Sequence, residues 1–218
     1  MNAFPFPVEA VIFDMDGLLL DTENVYRRAM IASALGLGYD FPEDFCHSMV
    51  GAAETEIHLI LRQRFGADFP IPKLFQDCEV QMQRLLDAGV PVKAGAAELI
   101  GDLAARKLPM AVATSTIRRI AEHHLQRAGL LDHFNAVCTR EDVARGKPHP
   151  EPVLLALSRF DCNAEDTLFV GDSTHDIEAG NAAGVCTAAA TWGPFTRQQL
   201  EASSPTFWLE RPVDVLAL

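Results

Sequence analysis

Short apolar segments that alternate with helical stretches are the feature of this sequence that most restricts its fold. After residue 90 the pattern predicts strands over 109–113, 136–139, 167–170 and 185–190. Helical periodicity is predicted around them, over 96–106, 116–128, 150–160 and 174–183. Strands separated by helices of this length pair in parallel through right-handed crossovers. The sequence therefore predicts a doubly wound α/β fold with one central parallel sheet.

One long helical block interrupts this alternation after the first strand. Residues 8–13 form an apolar, partly β-branched run that predicts a buried strand. Helical periodicity then extends over 22–89, with breaks at 36–42, 51 and 66–72, and predicts about four helices. We interpret residues 20–90 as a helical cap inserted into a core of 1–19 and 91–218, with hinges near Leu20 and Pro91.

Composition limits the class of protein and its partners. The 218 residues are 49% hydrophobic and 22% charged, which is typical of a packed domain and not of a disordered chain. A formal net charge of -12 argues against nucleic acid or an anionic membrane as partner. The five cysteines lie far apart without a CxxC pair, and neither a signal peptide nor a membrane-spanning apolar run is visible. We expect a cytoplasmic protein, a monomer or weak dimer, that binds a small molecule.

Ligands of such sheets bind beyond the carboxyl ends of the strands, so the residues after each strand are the candidates for chemistry. Asp14 and Asp16 follow the first strand and project to the same side of extended backbone. Two carboxylates this close repel each other unless a cation or proton lies between them. Gly17 allows a tight turn whose N–H groups could face an anion. The same pattern also occurs in an ordinary turn.

Hydroxyl and lysine side chains follow the next two strands. Thr114, Ser115 and Thr116 precede a predicted helix, where one of them is expected to be the N-cap and where free N–H groups suit a phosphate. Lys147 lies in a loop between Gly146 and Pro148. A loop lysine is usually solvated, but its ammonium is also a common partner of phosphoryl oxygens.

A second acidic pair follows the fourth strand. Asp172 lies at the tip of that strand and Asp176 one helical turn later, and either could be an N-cap. Four strand ends thus carry an acidic pair, a hydroxyl, a lysine and another acidic pair. Asp14, Asp16 and Asp172 offer oxygen ligands for Mg²⁺, and Lys147 and Thr114 could stabilise a transferring phosphoryl group. This set predicts phosphoryl transfer with Asp14 as the attacking group.

These residues resemble the haloacid dehalogenase superfamily over nearly the whole chain. The four motifs of that family are matched in order by DMDGLLLDTE, by Thr114 in VATST, by Lys147 in GKPHPEP and by GDSTHDIEAG. A helical insertion straight after the first motif is similar to the type-1 cap of phosphoglycolate phosphatases, sugar phosphatases and β-phosphoglucomutases. The resemblance implies a Rossmann-like core and a Mg²⁺-dependent phosphatase that acts on a small phosphorylated metabolite such as a sugar phosphate.

The resemblance also implies individual roles. Asp14 would be the nucleophile, forming an aspartyl-phosphate, and a metal ligand. Asp16 would protonate the leaving oxygen and then deprotonate water, while its main-chain carbonyl binds the metal. Asp172 would complete the protein ligands, and Asp176 would hold a metal-bound water or orient Lys147.

Departures from the family patterns separate its subfamilies. Metal-free dehalogenases do not need Asp16, which is present here. β-Phosphoglucomutases usually carry a histidine where this chain has Tyr26 and an acidic residue where it has Gly171, so both positions favour hydrolysis over a mutase. Phosphonatases use a cap lysine, and here Lys73 follows Pro72 in what looks like a linker.

Substrate specificity is expected from the cap, because the core contacts only the phosphate. The candidate substrate-binding residues are Gly17, Ser115, His47, Glu54, Glu56, Arg118 and Arg119; an exposed, unengaged position is the simpler interpretation of the cap and arginine candidates. A rival function of another class is a phospho-receiver domain, which also combines acidic residues, a hydroxyl, a lysine and Mg²⁺. The acceptor on the first strand and the inserted helices do not suit a receiver.

Overall fold

The computed structural model describes residues 8–49 and 54–217, without the side chains of His47 and Glu54. The chain forms two compact units, one of Met1–Asp21 with Pro91–Leu218 and one of Thr22–Val90. The two linker segments are joined within the first unit, since Asp21 N–H donates to the Pro91 carbonyl and Lys93 N–H to the Leu19 carbonyl, each at 2.9 Å.

A six-stranded sheet forms the centre of the first unit. Its strands are β1 Ala10–Phe13, β2 Met110–Ala113, β3 Ala136–Cys138, β4 Thr167–Gly171, β5 Cys186–Ala190 and β6 Phe207–Leu209. They lie in the order β3-β2-β1-β4-β5-β6 and every neighbouring pair is parallel. The predicted doubly wound α/β fold is confirmed. The order reverses at β1, and in such sheets the crevice at this point is the usual ligand site.

Helices connect the strands and build the second unit. Those found in 8–49 and 54–217 are α1 Thr22–Gly36, α2 Glu43–His47, α3 Glu54–Phe65, α4 Ile71–Ala88, α5 Ala96–Ala105, α6 Arg118–Arg127, α7 Glu151–Leu157, α8 Thr174–Ala183 and α9 Arg197–Glu201. Short 3₁₀ turns occupy Leu131–His133, Arg140–Asp142, Ala164–Asp166 and Pro212–Ala217.

Burial explains why the central strands are apolar throughout. All residues of β1, β2 and β4 are buried, as expected for strands covered by helices on both faces. The edge strand β6 and the helix α9 were not predicted. β6 has only three residues, two of them half-buried, so its pattern carries little periodic signal.

The Thr22–Val90 unit packs its helices around aromatic side chains. Phe41 stacks on Phe65 with ring centroids 4.9 Å apart, and Tyr39 contacts Phe69 edge to face at 4.7 Å. The predicted linker around Pro72 is wrong. α4 begins at Ile71 and includes Pro72 in its first turn, where a proline loses no intrahelical hydrogen bond.

Lys73 consequently lies on α4 and not in a linker. Its ammonium donates to Asp77 at 2.6 Å, one turn along the helix, and its side chain is 55% exposed. An exposed lysine that is paired with Asp77 on a helix does not suit the imine-forming lysine of a phosphonatase.

All five cysteines are free thiols. Within residues 8–49 and 54–217, none of the helices has the length and apolarity needed to cross a membrane.

Candidate active site

Three carboxylates meet at the carboxyl edge of the sheet. Asp14 follows β1 and Asp172 follows β4, and the pairing of Phe13 with Val170 brings these two strand ends side by side. Asp176 is added from the first turn of α8. One carboxylate oxygen from each of the three lies within 4.8 Å of the others, and all three side chains are buried.

The N-terminus of α8 fixes Asp176. Ser173 is the N-cap and forms a capping box with Asp176, whose Oδ2 accepts from the Ser173 N–H at 3.0 Å and from its hydroxyl at 2.6 Å. The alternative that Asp172 or Asp176 is the N-cap is therefore wrong. A Cβ at Gly171 would lie 2.2 Å from the Cβ of Asp176, so the absence of a side chain there makes room for this carboxylate.

Lys147 reaches this cluster from the loop after β3. Its Nζ donates to Asp14 Oδ1 at 2.5 Å, to Asp176 Oδ1 at 2.6 Å and to the Ala113 carbonyl at 3.0 Å. The side chain is only 5% exposed, which excludes the alternative of a solvated surface lysine. Burial would lower the pKa of Lys147, but the charges of Asp14 and Asp176 outweigh it and raise the pKa. The ammonium is therefore charged.

Asp14 is a buried carboxylate with one oxygen engaged. Burial raises its pKa, while the charge of Lys147 opposes this and the charges of Asp176 and Asp16 add to it. Lys147 contacts Oδ1, and among the described residues none donates a hydrogen bond to Oδ2. Oδ2 is the oxygen that could attack a phosphorus atom.

The formal charges of the cluster do not balance. Three carboxylates face one ammonium, which leaves an excess of two negative charges in a buried site. Buried charges that lack a counter-ion are costly, and a divalent cation would supply the missing charge. A set of carboxylate oxygens is the donor chemistry that Mg²⁺ prefers. The residues present therefore fit a Mg²⁺ ion.

Asp16 turns its carboxylate towards two threonines and is not part of the three-carboxylate group. Its Oδ2 accepts from the Thr116 hydroxyl at 2.7 Å and lies 3.4 Å from the Thr114 hydroxyl. The metal role predicted for Asp16 would therefore fall to its main-chain carbonyl. The predicted hydroxyl N-cap is wrong, because α6 starts after Ile117 without a side-chain cap.

Two of the predicted substrate-binding residues, Gly17 and Ser115, lie in the turns after β1 and β2. Gly17 has the expected positive φ of 82°, but its N–H donates to the Leu20 carbonyl at 2.9 Å instead of facing an anion. Ser115 is exposed at the turn before α6. The side chains of His47 and Glu54 lie outside the described residues.

Arg118 is engaged by acidic side chains that do not belong to the cluster. It donates to Glu122 at 2.5 Å, to Asp142 at 2.6 Å and to the Val137 carbonyl at 3.1 Å. It lines a groove of about 370 Å³ along β3 whose lining includes none of the four cluster residues. The substrate contact predicted for Arg118 stays a prediction; its guanidinium covers a carbonyl of the sheet edge.

Gly193, in the loop after β5, was missed by sequence reasoning. A Cβ at this position would lie 2.4 Å from the Cβ of Asp172 and 2.6 Å from its Oδ2. The preceding Trp192 anchors the loop, since its indole N–H donates to the Leu18 carbonyl at 2.9 Å. The glycine's place just beyond a strand, at the same edge as Asp14, is the signal that could have identified it.

Comparison with known proteins agrees with this geometry. The family profile described as haloacid dehalogenase-like hydrolase matches residues 11–190, most of the chain. The chain belongs to this family. The resemblance predicted from the four motifs is confirmed.

Individual relatives are similar over almost their full length. The pyrophosphatase PpaX of Bacillus cereus is 38% identical over 97% of this chain and 96% of its own. A phosphorylated carbohydrates phosphatase of Thermotoga maritima is 31% identical over 82% of each chain. A Thermotoga maritima structure assigned as a β-phosphoglucomutase superposes with a TM-score of 0.81 at 28% identity, covering 95% of this chain and 96% of the other. Family membership and these phosphatase relatives support a phosphoric monoester hydrolase.

Proposed function

We propose that this hydrolase is a Mg²⁺-dependent phosphatase that cleaves a small phosphorylated metabolite through an aspartyl-phosphate on Asp14. The observation that carries the proposal is the buried cluster of Asp14, Asp172, Asp176 and Lys147 at the switch point of the sheet. It combines a carboxylate nucleophile, a fixed ammonium and a surplus of negative charge that a metal ion would neutralise.

Asp14, Asp172 and the main-chain carbonyl of Asp16 would hold Mg²⁺. Both oxygens of Asp176 already accept hydrogen bonds, from Lys147 and from Ser173, so its main task is to orient the lysine. When bound, the ion screens the repulsion between the nucleophilic carboxylate and the substrate phosphate.

In the first step, Oδ2 of Asp14 forms a bond to phosphorus while the bond between phosphorus and the ester oxygen breaks. The leaving oxygen takes a proton from the carboxyl group of Asp16, so the alcohol departs neutral. Lys147 and the Thr114 hydroxyl stabilise the charge on the equatorial phosphoryl oxygens.

In the second step, Asp16 takes a proton from water as the water oxygen bonds to phosphorus. The bond between phosphorus and the Asp14 oxygen breaks, which releases inorganic phosphate and restores the carboxylate of Asp14. Asp16 is protonated again, ready for the next substrate.

Two positions support hydrolysis over a mutase, in which the phosphoryl group would return to the sugar. Position 171 has no room for the acidic residue that mutases of this family tend to carry, because Asp176 occupies that space. Tyr26 on α1 replaces their usual histidine. Neither departure affects phosphoryl transfer to Asp14.

A sugar phosphate is the substrate class we propose, since a relative is named for phosphorylated carbohydrates. The Thr22–Val90 unit would select the substrate as a cap, with His47 and Glu54 as candidate contacts. Pyrophosphate is the alternative, because the relative PpaX is named a pyrophosphatase. We further propose that the protein is cytoplasmic and a monomer or weak dimer.

A screen of sugar phosphates and pyrophosphate with Mg²⁺ tests this function, with inorganic phosphate and isomerised sugar phosphate both measured. We expect phosphate release that Asp14→Asn abolishes and that Asp132→Asn, an exposed carboxylate, leaves unchanged. Isomerisation faster than phosphate release would establish the mutase. A single stoichiometric phosphorylation without turnover would establish the receiver.

A further inference from the structure

Two threonine hydroxyls lie beside Asp16, but only one is fully engaged with it. The Thr116 hydroxyl donates to Asp16 Oδ2 at 2.7 Å, a full hydrogen bond. The Thr114 hydroxyl is 3.4 Å from the same oxygen and accepts from the Thr116 N–H at 3.0 Å. Since a hydroxyl has one proton to donate, that of Thr114 is held only weakly by Asp16.

This difference indicates separate roles for the hydroxyls of Thr114 and Thr116. Thr114 is buried at the end of β2 and keeps its donor for a phosphoryl oxygen. Thr116 is half-buried in the bend before α6, and its hydroxyl proton is used in the hydrogen bond to Asp16. The hydrogen bond restricts the two side-chain torsions of Asp16, whose carboxylate is not part of the cluster of Asp14, Asp172 and Asp176.

We infer that Thr116 is a positioning residue that holds the general acid and base Asp16 in the geometry for proton transfer. The inference rests on the proposed function, because it assigns Thr116 to the acid that protonates the leaving oxygen. A merely structural hydroxyl in this bend would affect folding without distinguishing one leaving group from another.

Leaving-group dependence separates these roles. Phenyl phosphate has a poor leaving group that needs the proton from Asp16, whereas p-nitrophenyl phosphate has a good one that needs it much less. The ratio of kcat/KM for the two substrates reports the transfer to Asp14 and is insensitive to a loss of folded protein. In Thr116→Val we expect kcat/KM for phenyl phosphate to fall about tenfold relative to that for p-nitrophenyl phosphate, the size expected for one hydrogen bond.

Matched variants decide the outcome. Thr116→Ser keeps the hydroxyl and should restore the wild-type ratio. Thr206→Val removes a hydroxyl that accepts from the Thr187 N–H at 3.3 Å and lies 3.4 Å from the Thr187 hydroxyl, and it should leave the ratio unchanged. Asp16→Asn removes the acid itself and should show the largest loss of kcat/KM for phenyl phosphate relative to p-nitrophenyl phosphate. If Thr116→Val is too unstable to purify, Thr116→Ala takes its place under the same criteria.

The failures are distinguishable. An unchanged ratio in Thr116→Val, with a selective loss in Asp16→Asn, would overturn the role of Thr116 and leave the proposed function intact. Turnover that survives in Asp14→Asn would overturn the proposed function itself.

Discussion

Replacement of Lys147 by methionine should destabilise the protein strongly, mainly because its ion pairs are buried. Lys147 contacts Asp14 and Asp176 at 2.5 and 2.6 Å with side-chain exposures of 5%, 9% and 1%. Lys73 contacts Asp77 at the same 2.6 Å, but with exposures of 55% and 30%. The two lysines are therefore alike in contact distance, but Lys147 is buried with two acidic partners and Lys73 is exposed with one.

The expected magnitudes follow from this contrast. Removing one partner of a buried ion pair leaves the other charge without compensation and costs about 3–5 kcal/mol of unfolding free energy. Breaking an exposed pair one helical turn apart costs about 0.5 kcal/mol or less, because water screens both charges. Lys147→Met should also abolish most phosphatase activity, since the ammonium faces the nucleophile.

Urea unfolding of the wild type, Lys147→Met and Lys73→Met measures both losses, with circular dichroism to show that each variant folds. Mg²⁺ should recover part of the loss in Lys147→Met, because a cation that binds only the folded site stabilises it. Equal losses in the two variants, within about 0.5 kcal/mol, would contradict the assignment of Lys147 to a buried charge cluster.

Two further substitutions test the surroundings of the site. Gly193→Ala should lower kcat/KM by tenfold or more and raise the Mg²⁺ concentration needed for half-maximal activity, because its Cβ would displace Asp172. The control is Gly101→Ala on α5, where a Cβ meets nothing within 4 Å. Similar kinetics in the two variants would contradict the prediction. Burial would raise the pKa of Asp142, but hydrogen bonds from Arg118 and Thr139 outweigh it and lower the pKa to about 2. Because the pKa is depressed in the folded state, this stabilisation is present above the unfolded value near 4 and is lost as pH falls towards 2. Asp142→Asn should thus lower the free energy of unfolding in urea by about 1 kcal/mol at pH 7 and by progressively less below pH 4. A loss that does not change with pH would contradict the link between this stabilisation and the charge of Asp142.

The sheet was predictable because its central strands are covered on both faces. Burial on two sides demands continuous apolar runs, and β1, β2 and β4 show them plainly. The strand ends then locate Asp14, Lys147 and the acidic residues after β4 without any structural information. β6 was not predicted, because a short, half-buried edge strand needs no continuous apolar run.

The rest of the site depends on turn geometry and on tertiary contact. The sequence offers three hydroxyls after β2 but does not show that Ile117 takes the N-cap position and leaves Thr116 to contact Asp16. Gly193 matters only because the loop after the neighbouring strand β5 approaches Asp172, a tertiary contact that the sequence does not show. Arg118 pairs with Glu122 one turn along α6, but Asp142 becomes its partner only when the turn after β3 packs beside α6.

The most direct test of the mechanism is to find the phosphoryl group on the enzyme. Asp16→Asn with p-nitrophenyl phosphate and Mg²⁺ should form the acyl phosphate, because this substrate needs little acid assistance, and should hydrolyse it slowly. After a rapid acid quench, peptide mapping by mass spectrometry should place one phosphoryl group on Asp14, and Asp14→Asn in the same background should carry none. A phosphoryl group on another residue, or p-nitrophenol release that persists without Asp14, would contradict a nucleophilic Asp14.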